Sequence, residues 1–386
     1  MVDCACCPPG EPDGDGQSRR GFLGLGLAAA GMATAALSLG ASPASAQQRR
    51  VLAPLSAAAS AANRDLPLVD FHTHLQRRAA AEDLISKMDA TGVARLVLMP
   101  LYYRDSGSSV NDGEGSDEQA RDYGARYPDR FVPFVGMQRG ELNGREVMRE
   151  QTPQGIRLLR ETEAKLRTGD FFGMGEFMLR FYPYTNKFGI VATSDMDYPA
   201  DGWLMRQFAD LSAKYKAPMC FHAEAEPHVA DAVRRLVEKH PEAIFVWAHN
   251  CGRSSAADIA VMFQRYPNLY ADLGGMVYSG ANVEAYGVYW PRHTPWMHLV
   301  VDERGALLPD MKALFEQHAN RFVIGTDIAH ARVYERYLGH IPRWRHILTQ
   351  LSPAAARRIA FGTANRLFRL TTAGLQRFAP IESVPI

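Results

Sequence analysis

The sequence has almost no excess of charge of either sign. Its 386 residues include 43 lysines and arginines and 42 aspartates and glutamates, a formal net charge of +1. A polybasic surface for nucleic acid or anionic lipid normally leaves a clear basic excess. We therefore expect no nucleic-acid partner, although a local basic patch is compatible with the same total.

Cysteine is also scarce in the part of the chain that is expected to fold. Of the five cysteines, Cys4, Cys6 and Cys7 lie among the first residues, and only Cys220 and Cys251 lie further on. Two cysteines do not form a disulfide scaffold. Both lie near predicted strand ends, so we interpret them as buried free thiols.

The apolar run near the N-terminus consists mainly of glycine and alanine, so it would insert weakly into a membrane. It covers about Gly21–Ala41, begins within the twin-arginine signature Ser18–Leu23, and precedes the small-residue cleavage site Ala44–Ala46. This order is typical of a cleaved export signal, and an uncleaved anchor is the alternative. We expect an exported protein, periplasmic or extracellular, with the twin-arginine translocase as a transient partner and no stable membrane anchor.

Eight short apolar runs follow an Ala/Ser-rich linker, and each is bounded by polar residues, glycine or proline. Such runs are typical of strands buried on both faces. They are Leu66–Phe71, Arg95–Met99, Phe131–Gly136, Phe172–Phe177, Ala217–Phe221, Ile244–Ala248, Leu269–Leu273 and Arg321–Gly325. Helical patterns alternate with them at Ala79–Thr91, Ser116–Tyr127, Arg145–Arg167, Trp203–Tyr215, His228–Lys239, Ser254–Arg265 and Pro309–His318.

This alternation predicts an α/β fold, a single (β/α)8 barrel, with a doubly wound open sheet as the alternative. A hydrophobic content of 47% allows a sizeable core, and 22% charged residues exclude wholesale disorder. The predicted division is an export signal at residues 1–46, a linker at 47–65 and the barrel at 66–386.

Long connections follow the second, fourth and seventh predicted strands, at Leu101–Gly115, Met178–Asp201 and Gly274–Leu308. In a barrel, loops that follow strands lie on the C-terminal face, where chemistry takes place. Long loops there are usually functional. The last loop is rich in aromatic residues and could be a lid, a wall of a substrate site, or a loop packed on itself.

Histidine and aspartate side chains follow four of the predicted strands. His72 and His74 end the first strand, and residues two apart on a strand point to the same side. His222, His249 and Asp327 end the fifth, sixth and eighth strands. Because strand ends converge in a barrel, we expect these groups to meet and to bind a metal ion. A set of satisfied core histidines is the structural alternative.

With these motifs, the chain resembles the amidohydrolase superfamily, and most closely its amidohydrolase-related family of metal-dependent barrel enzymes. The resemblance covers about Leu66 to Leu370, including a C-terminal helix from 351 to 368. It implies that His72, His74 and His222 bind the metal. It also implies His249 as a ligand or an oxyanion-stabilising group, and Asp327 as the metal contact and general base that receives the proton of a metal-activated water.

The fourth strand has no lysine that could be carbamylated to bridge two metal ions. Glu176 lies there instead, in the run Phe172–Phe177. A carboxylate can bridge two ions, as in the TatD-like nucleases, or bind one ion or the substrate. We favour one ion, with a Glu176-bridged pair as the alternative. Zinc is the first expectation, although this ligand set also accepts manganese or iron.

Other polar residues near the predicted site are weaker candidates. Glu224 is expected to face the same side as His222, as its hydrogen-bond partner or as a substrate contact. His330 is a further candidate for substrate binding. Arg180, Arg253 and Arg292 are candidates to bind an anionic substrate, and for each of them a solvated loop charge is the favoured alternative. Asp70 is expected to face the barrel interior.

These residues favour a metal-dependent hydrolase of a small molecule such as a lactone, an amide or an ester. A non-oxidative decarboxylase is the first alternative, because members of the resembled family with this ligand set cleave carbon–carbon bonds. A two-metal phosphoesterase is third, and a non-catalytic metal-binding protein is the alternative from another class.

Overall fold

The computed structural model describes seven segments of the chain: residues 66–102, 114–142, 144–182, 195–276, 298–302, 304–328 and 337–368. Residues 1–46 and 47–65, to which the export signal and linker were assigned, lie outside the described residues. In the described segments, no helix is both long and apolar enough to cross a membrane.

Eight parallel strands form the central sheet, in chain order around it. They are β1 (Leu68–Asp70), β2 (Val93–Tyr102), β3 (Phe131–Gly136), β4 (Gly173–Phe181), β5 (Met219–Ala223), β6 (Phe245–Trp247), β7 (Leu269–Asp272) and β8 (Phe322–Val323). Short additional strands at His74–Leu75, Gln138–Arg139 and Met196–Asp197 pair with the ends of β2 and β4.

Backbone hydrogen bonds close the sheet between its first and last strands. Phe71 N donates to Ile324 O at 2.8 Å, and Asp327 N donates to His72 O at 2.8 Å. The predicted (β/α)8 barrel is therefore confirmed, and the open-sheet alternative is excluded. Closure also explains why most strand residues are fully buried, since a closed parallel barrel is covered by helices outside and filled by side chains inside.

Helices alternate with the strands along the chain. They are α1 (Ala81–Thr91), α2 (Asp117–Arg126), α3 (Arg145–Arg149), α4 (Pro153–Thr168), α5 (Trp203–Tyr215), α6 (Pro227–Lys239), α7 (Ala248–Arg253), α8 (Ala256–Arg265), α9 (Pro309–His318), α10 (Tyr337–Leu348), α11 (Pro353–Arg357) and α12 (Thr363–Phe368). Side chains cap several of them: Ser116, Thr152 and Ser255 each accept a backbone N–H of the first turn.

The single helix predicted over Arg145–Arg167 was wrong, because two helices lie there. Glu150 adopts an extended backbone at the end of α3, and Thr152 caps α4, which begins at Pro153. Proline has no N–H to donate and clashes with a preceding turn, so it begins a helix more readily than it continues one.

Two of the predicted long loops begin later than expected. Strand β2 continues to Tyr102 and β4 continues to Phe181, so Met178–Phe181 is strand and not loop. In β4, Arg180 interrupts an otherwise apolar run and so hid the end of the strand. Residues 103–113, 183–194 and 277–297 of the three connections lie outside the described residues.

Candidate metal centre

Six of the predicted ligands come together at the C-terminal ends of the strands. Three groups of side chains in the described segments have the size of a metal site, with the donor atoms of each within 4.8 Å, and two of these groups consist of the predicted ligands. We call His72, His74, Glu176 and Asp327 the first ligand group, and Glu176, His222 and His249 the second ligand group. Glu176 belongs to both.

The first ligand group has the spacing of a four-coordinate site. His72 Nε2 lies 3.2 Å from His74 Nε2 and 3.3 Å from Glu176 Oε2. Asp327 Oδ1 lies 3.4 Å from His72 Nε2 and 3.2 Å from His74 Nε2. A tetrahedral zinc ion with bonds of about 2.0–2.1 Å separates its ligand atoms by about 3.3 Å. These four donors therefore fit one ion without rearrangement.

The second ligand group offers three donors on the other side of Glu176. Glu176 Oε1 lies 3.4 Å from His249 Nε2 and 3.6 Å from His222 Nδ1. The two histidine nitrogens are 2.7 Å apart. Three protein donors leave room for a further ligand, as catalytic zinc sites do.

The carboxylate of Glu176 spans both groups through its two oxygens. Oε2 faces the first group and also accepts a hydrogen bond from Gln138 Nε2 at 2.8 Å. Oε1 faces the second group, and within the described residues it is a buried oxygen that accepts no hydrogen bond of normal geometry. A buried acceptor without a donor is costly unless a cation compensates it. The donor set therefore fits a divalent ion on each side of Glu176.

Hydrogen bonds on the outer nitrogens turn three histidines toward the site. His72 Nδ1 donates to Asp272, His222 Nε2 donates to Glu224 at 3.0 Å, and His249 Nδ1 donates to the Gly274 carbonyl at 2.7 Å. Each acceptor can only accept, so each ring carries its proton on the outer nitrogen. The lone pair of the inner nitrogen then faces the ligand group, as metal binding requires.

Asp272, at the end of β7, was missed by the sequence analysis. It is fully buried, and its second oxygen accepts the Gly274 N–H at 2.7 Å. The signal was available, because Asp272 is a carboxylate next to the end of the seventh apolar run, as Asp327 is shortly after the eighth. Space around it is tight, since a Cβ on Gly325 would lie 2.6 Å from His72 Cβ.

The Asp272→Asn variant is expected to bind zinc about 10- to 100-fold more weakly. Both carboxylate oxygens accept a hydrogen bond, one from His72 Nδ1 and the other from Gly274 N. An amide NH2 would oppose one of these donors, and His72 would relieve the conflict by moving its proton to the inner nitrogen. Zinc titration with a competing chelator measures the loss. Asp122→Asn, on the exposed face of α2, is the control, and equal affinities in the two variants would contradict the assigned role of Asp272.

The histidines and carboxylates of the site shift one another's pKa values. Burial alone would lower the pKa of His72, but Asp272, Glu176 and Asp327 raise it well above its ordinary value. Burial alone would raise the pKa of Glu176 and of Asp327, yet the histidines, His72 above all, hold both well below the usual range. Without metal, protons on the histidines therefore balance the carboxylates, and a bound cation would displace them.

The pKa values of the two histidines of the second group are shifted in opposite directions. Despite burial, the carboxylates Glu176 and Glu224 raise the pKa of His222 to about 9. Burial and the neighbouring cations His222 and Arg253 lower the pKa of His249. In the metal-free protein, His222 Nδ1 therefore donates to His249 Nε2 across the 2.7 Å contact.

The element α7, which presents His249, is a left-handed turn and not an ordinary α-helix, because residues 249–252 have left-handed φ and ψ values. The backbone φ of His249 is 57°, and Asn250, Cys251 and Arg253 have φ values of 56°, 54° and 65°. This conformation costs an L-residue roughly 1–2 kcal/mol and clusters at functional sites. Gly252, inside the turn, approaches the backbone so closely that a Cβ there would overlap the carbonyl of Ala223.

Asp327 also has a left-handed backbone, with φ of 58°. The segment before it is held by Asp70, as the predicted inward orientation allows. Asp70 accepts hydrogen bonds from Thr326 N at 3.0 Å and Thr326 Oγ1 at 2.7 Å. Asp70 therefore lies beneath the site and fixes the loop that carries Asp327.

The remaining candidates are placed differently. Glu224 is fully buried between His222 and Arg253. Arg253 and Arg180 are both buried, so the interpretation of these two arginines as solvated loop charges was wrong. Arg180 donates to Glu226 and Asp195. Residues 292 and 330, the candidates Arg292 and His330, lie outside the described residues.

The two cysteines, as expected, are buried and free. Cys220 lies two residues before His222 and close to His72 and Asp272. Burial, followed by the neighbouring carboxylates, raises the pKa of its thiol well above the ordinary value, so it stays protonated.

No protein-family model matches the chain, and neither does any curated protein. Similar solved structures include a putative amidohydrolase from Staphylococcus aureus, with 14% identity, 79% of this chain and 100% of that chain covered, and a TM-score of 0.47. A dihydroxybenzoic acid decarboxylase from Polaromonas, with bound manganese, has 14% identity, coverages of 79% and 97%, and a TM-score of 0.44. A probable 2-pyrone-4,6-dicarboxylic acid hydrolase from Acinetobacter baumannii has 13% identity, coverages of 79% and 100%, and a TM-score of 0.41.

Proposed function

We propose that this chain is a metal-dependent hydrolase of a small molecule, with two divalent ions bridged by Glu176. One observation carries the proposal: the two oxygens of Glu176 face separate histidine groups. The first group already has the ligand spacing of one tetrahedral ion, and the two histidine nitrogens of the second group, 2.7 Å apart, would move apart to bind another. This revises the preference for a single ion. Nitrogen and carboxylate donors suit zinc, and manganese or iron would also bind.

Bound ions would lower the pKa of a coordinated water to about 7 and polarise the substrate oxygen. The chain supplies the proton transfer. Asp327 is the carboxylate that accepts the proton of the attacking water and returns it to the leaving group. Its side chain is only 3% exposed, so bulk water competes little for that proton. Its low pKa in the metal-free protein keeps it ionised and ready to accept.

Decarboxylation and phosphoester hydrolysis are the competing reactions. A decarboxylase needs a cation to hold the substrate carboxylate, and Arg180 already donates to Glu226 and Asp195. Buried Arg253 is paired with Glu224. A pair of ions about 3.5–4 Å apart is typical of phosphoesterases as well as aminopeptidases. The two-ion arrangement therefore makes a phosphoester substrate a stronger candidate than the sequence alone did.

A substrate panel with zinc-loaded protein tests the reaction class. It contains p-nitrophenyl acetate, a γ-lactone, an N-acyl amino acid, bis-p-nitrophenyl phosphate and a dihydroxybenzoate. The proposal expects turnover of the ester, lactone or amide that is lost with a chelator and restored by zinc. Release of carbon dioxide from the dihydroxybenzoate alone would contradict hydrolysis, and turnover of the phosphodiester alone would reassign the substrate class.

We also propose that the protein is exported folded, because the twin-arginine signature at 18–23 belongs to a route that carries folded proteins. The barrel could then receive its metal before export. Protein recovered from the periplasm of an expressing bacterium is expected to begin at Gln47. An N-terminus that retains residues 1–46 would contradict cleavage.

A further inference from the structure

We propose that Arg253 is a positioning residue that controls the second ligand group and leaves the first group unaffected. This role rests on the proposed two-ion site and goes beyond it, because a residue that belongs to neither ligand group would set the occupancy on one side of Glu176.

The contacts run from Arg253 to His222 through one carboxylate. Arg253 Nη1 donates to Glu224 Oε1, and the same oxygen accepts from His222 Nε2 at 3.0 Å. Arg253 and Glu224 are at most 1% exposed in their side chains. In such surroundings Glu224 keeps a fixed orientation only while its charge is matched. The guanidinium thus holds Glu224, and Glu224 holds the ring of His222 with Nδ1 toward the site.

The second histidine of the group belongs to the same turn as Arg253. His249 and Arg253 are the first and last of five consecutive residues with left-handed φ values. The turn is held to the segment after β5, where Ala225 N donates to Gly252 O at 3.1 Å. One strained segment therefore places His249 directly and His222 through Glu224.

The first ligand group is supported by other contacts. His72 is oriented by Asp272, and the segment of Asp327 is held by Asp70 through Thr326. The glutamine that donates to Glu176 Oε2, Gln138, follows β3 on another side of the barrel. Loss of the Arg253 charge should consequently act on one group and not on the other.

The test is the zinc affinity of each site in wild type and in Arg253→Met, measured by dialysis against buffers of fixed free zinc. We expect the zinc dissociation constant of the first ligand group to stay unchanged. The zinc dissociation constant of the second ligand group should rise about 10- to 100-fold. Arg130→Met is the matched control, since Arg130 is also buried and paired with a carboxylate, that of Asp89. Arg130 directly precedes β3, at the end of the strands opposite to the site. It should leave both constants unchanged.

Two further readouts separate positioning from general structural damage. Arg253→Lys keeps the charge and should restore most of the lost affinity. Nitrogen-15 NMR of the zinc-loaded histidines should show a single tautomer for His222 in wild type and a mixture in Arg253→Met. Where Arg253→Met does not fold, Glu224→Gln carries the test and should give the same selective loss.

Each contrary result has its own meaning. Unchanged constants in a folded Arg253→Met protein, or equal weakening of both ions, would overturn the assignment of Arg253 while the two-ion site stands. A wild-type protein that binds a single zinc ion would overturn the two-ion site and this inference with it.

Discussion

Replacement of Asp327 by asparagine is expected to reduce turnover about 100- to 10,000-fold while zinc remains bound. In the proposed reaction this carboxylate accepts the proton of the attacking water, and it lies beside the inner nitrogens of His72 and His74 at 3.4 and 3.2 Å. Asparagine keeps an oxygen at this position and so preserves a metal contact. Its amide cannot accept and return a proton, which removes the step and not the site.

The measurement pairs kcat on the best ester or lactone of the panel with zinc content by elemental mass spectrometry. Asp310→Asn, at the first turn of α9, is the control for a change of one charge. Unchanged kcat in Asp327→Asn would exclude Asp327 as the general base. Loss of both ions along with activity would show that Asp327 acts mainly as a ligand.

The Glu176→Gln variant should lose at least about 1,000-fold in activity and bind fewer than two zinc ions per chain. Glu176 is the only residue shared by the two ligand groups of the described segments. A glutamine presents one neutral oxygen, so it can face one group but not both with a negative charge. Its NH2 would also oppose the Gln138 Nε2 donor if it took the position of Oε2.

Zinc titration of Glu176→Gln and of the control Glu238→Gln, on the exposed side of α6, separates the two outcomes. Retention of two ions with wild-type affinity in Glu176→Gln would show that the carboxylate is not a bridge. In that case Glu176 would be a substrate contact, the other role that the sequence allowed.

The barrel and its candidate metal ligands could be predicted because the sequence patterns that indicate them are local. A strand buried on both faces must be a short apolar run, so seven further runs after Leu66–Phe71 fixed the strand count. His72, His222 and His249 directly follow three of these runs, and closure of a barrel brings such strand ends together. Residue spacing along the strand also oriented Asp70 correctly.

Other parts depend on tertiary contacts that leave little trace in the sequence. Asp272 gains its role from His72, 200 residues earlier. The left-handed turn at 249–253 is visible only in Gly252, because Asn250 and Arg253 adopt positive φ through the contacts around them. Arg253 looked like a loop charge for the same reason, since its carboxylate partner Glu224 lies on a different connection.

The number of metal ions could also not be predicted from the sequence. Glu176 in the fourth run allowed a bridge, a single ligand or a substrate contact. The difference lies in the direction of its two oxygens, which is visible only from the relative positions of His72 after β1 and His249 after β6.

The most direct test of the account is an anomalous difference map from crystals of the zinc-loaded protein, recorded at the zinc absorption edge. A two-ion site predicts two peaks about 3.5–4 Å apart, one on each side of the Glu176 carboxylate. One peak should lie among His72, His74 and Asp327, and the other beside His222 and His249. A single peak in the first ligand group, with His222 and His249 still in mutual contact, would contradict it.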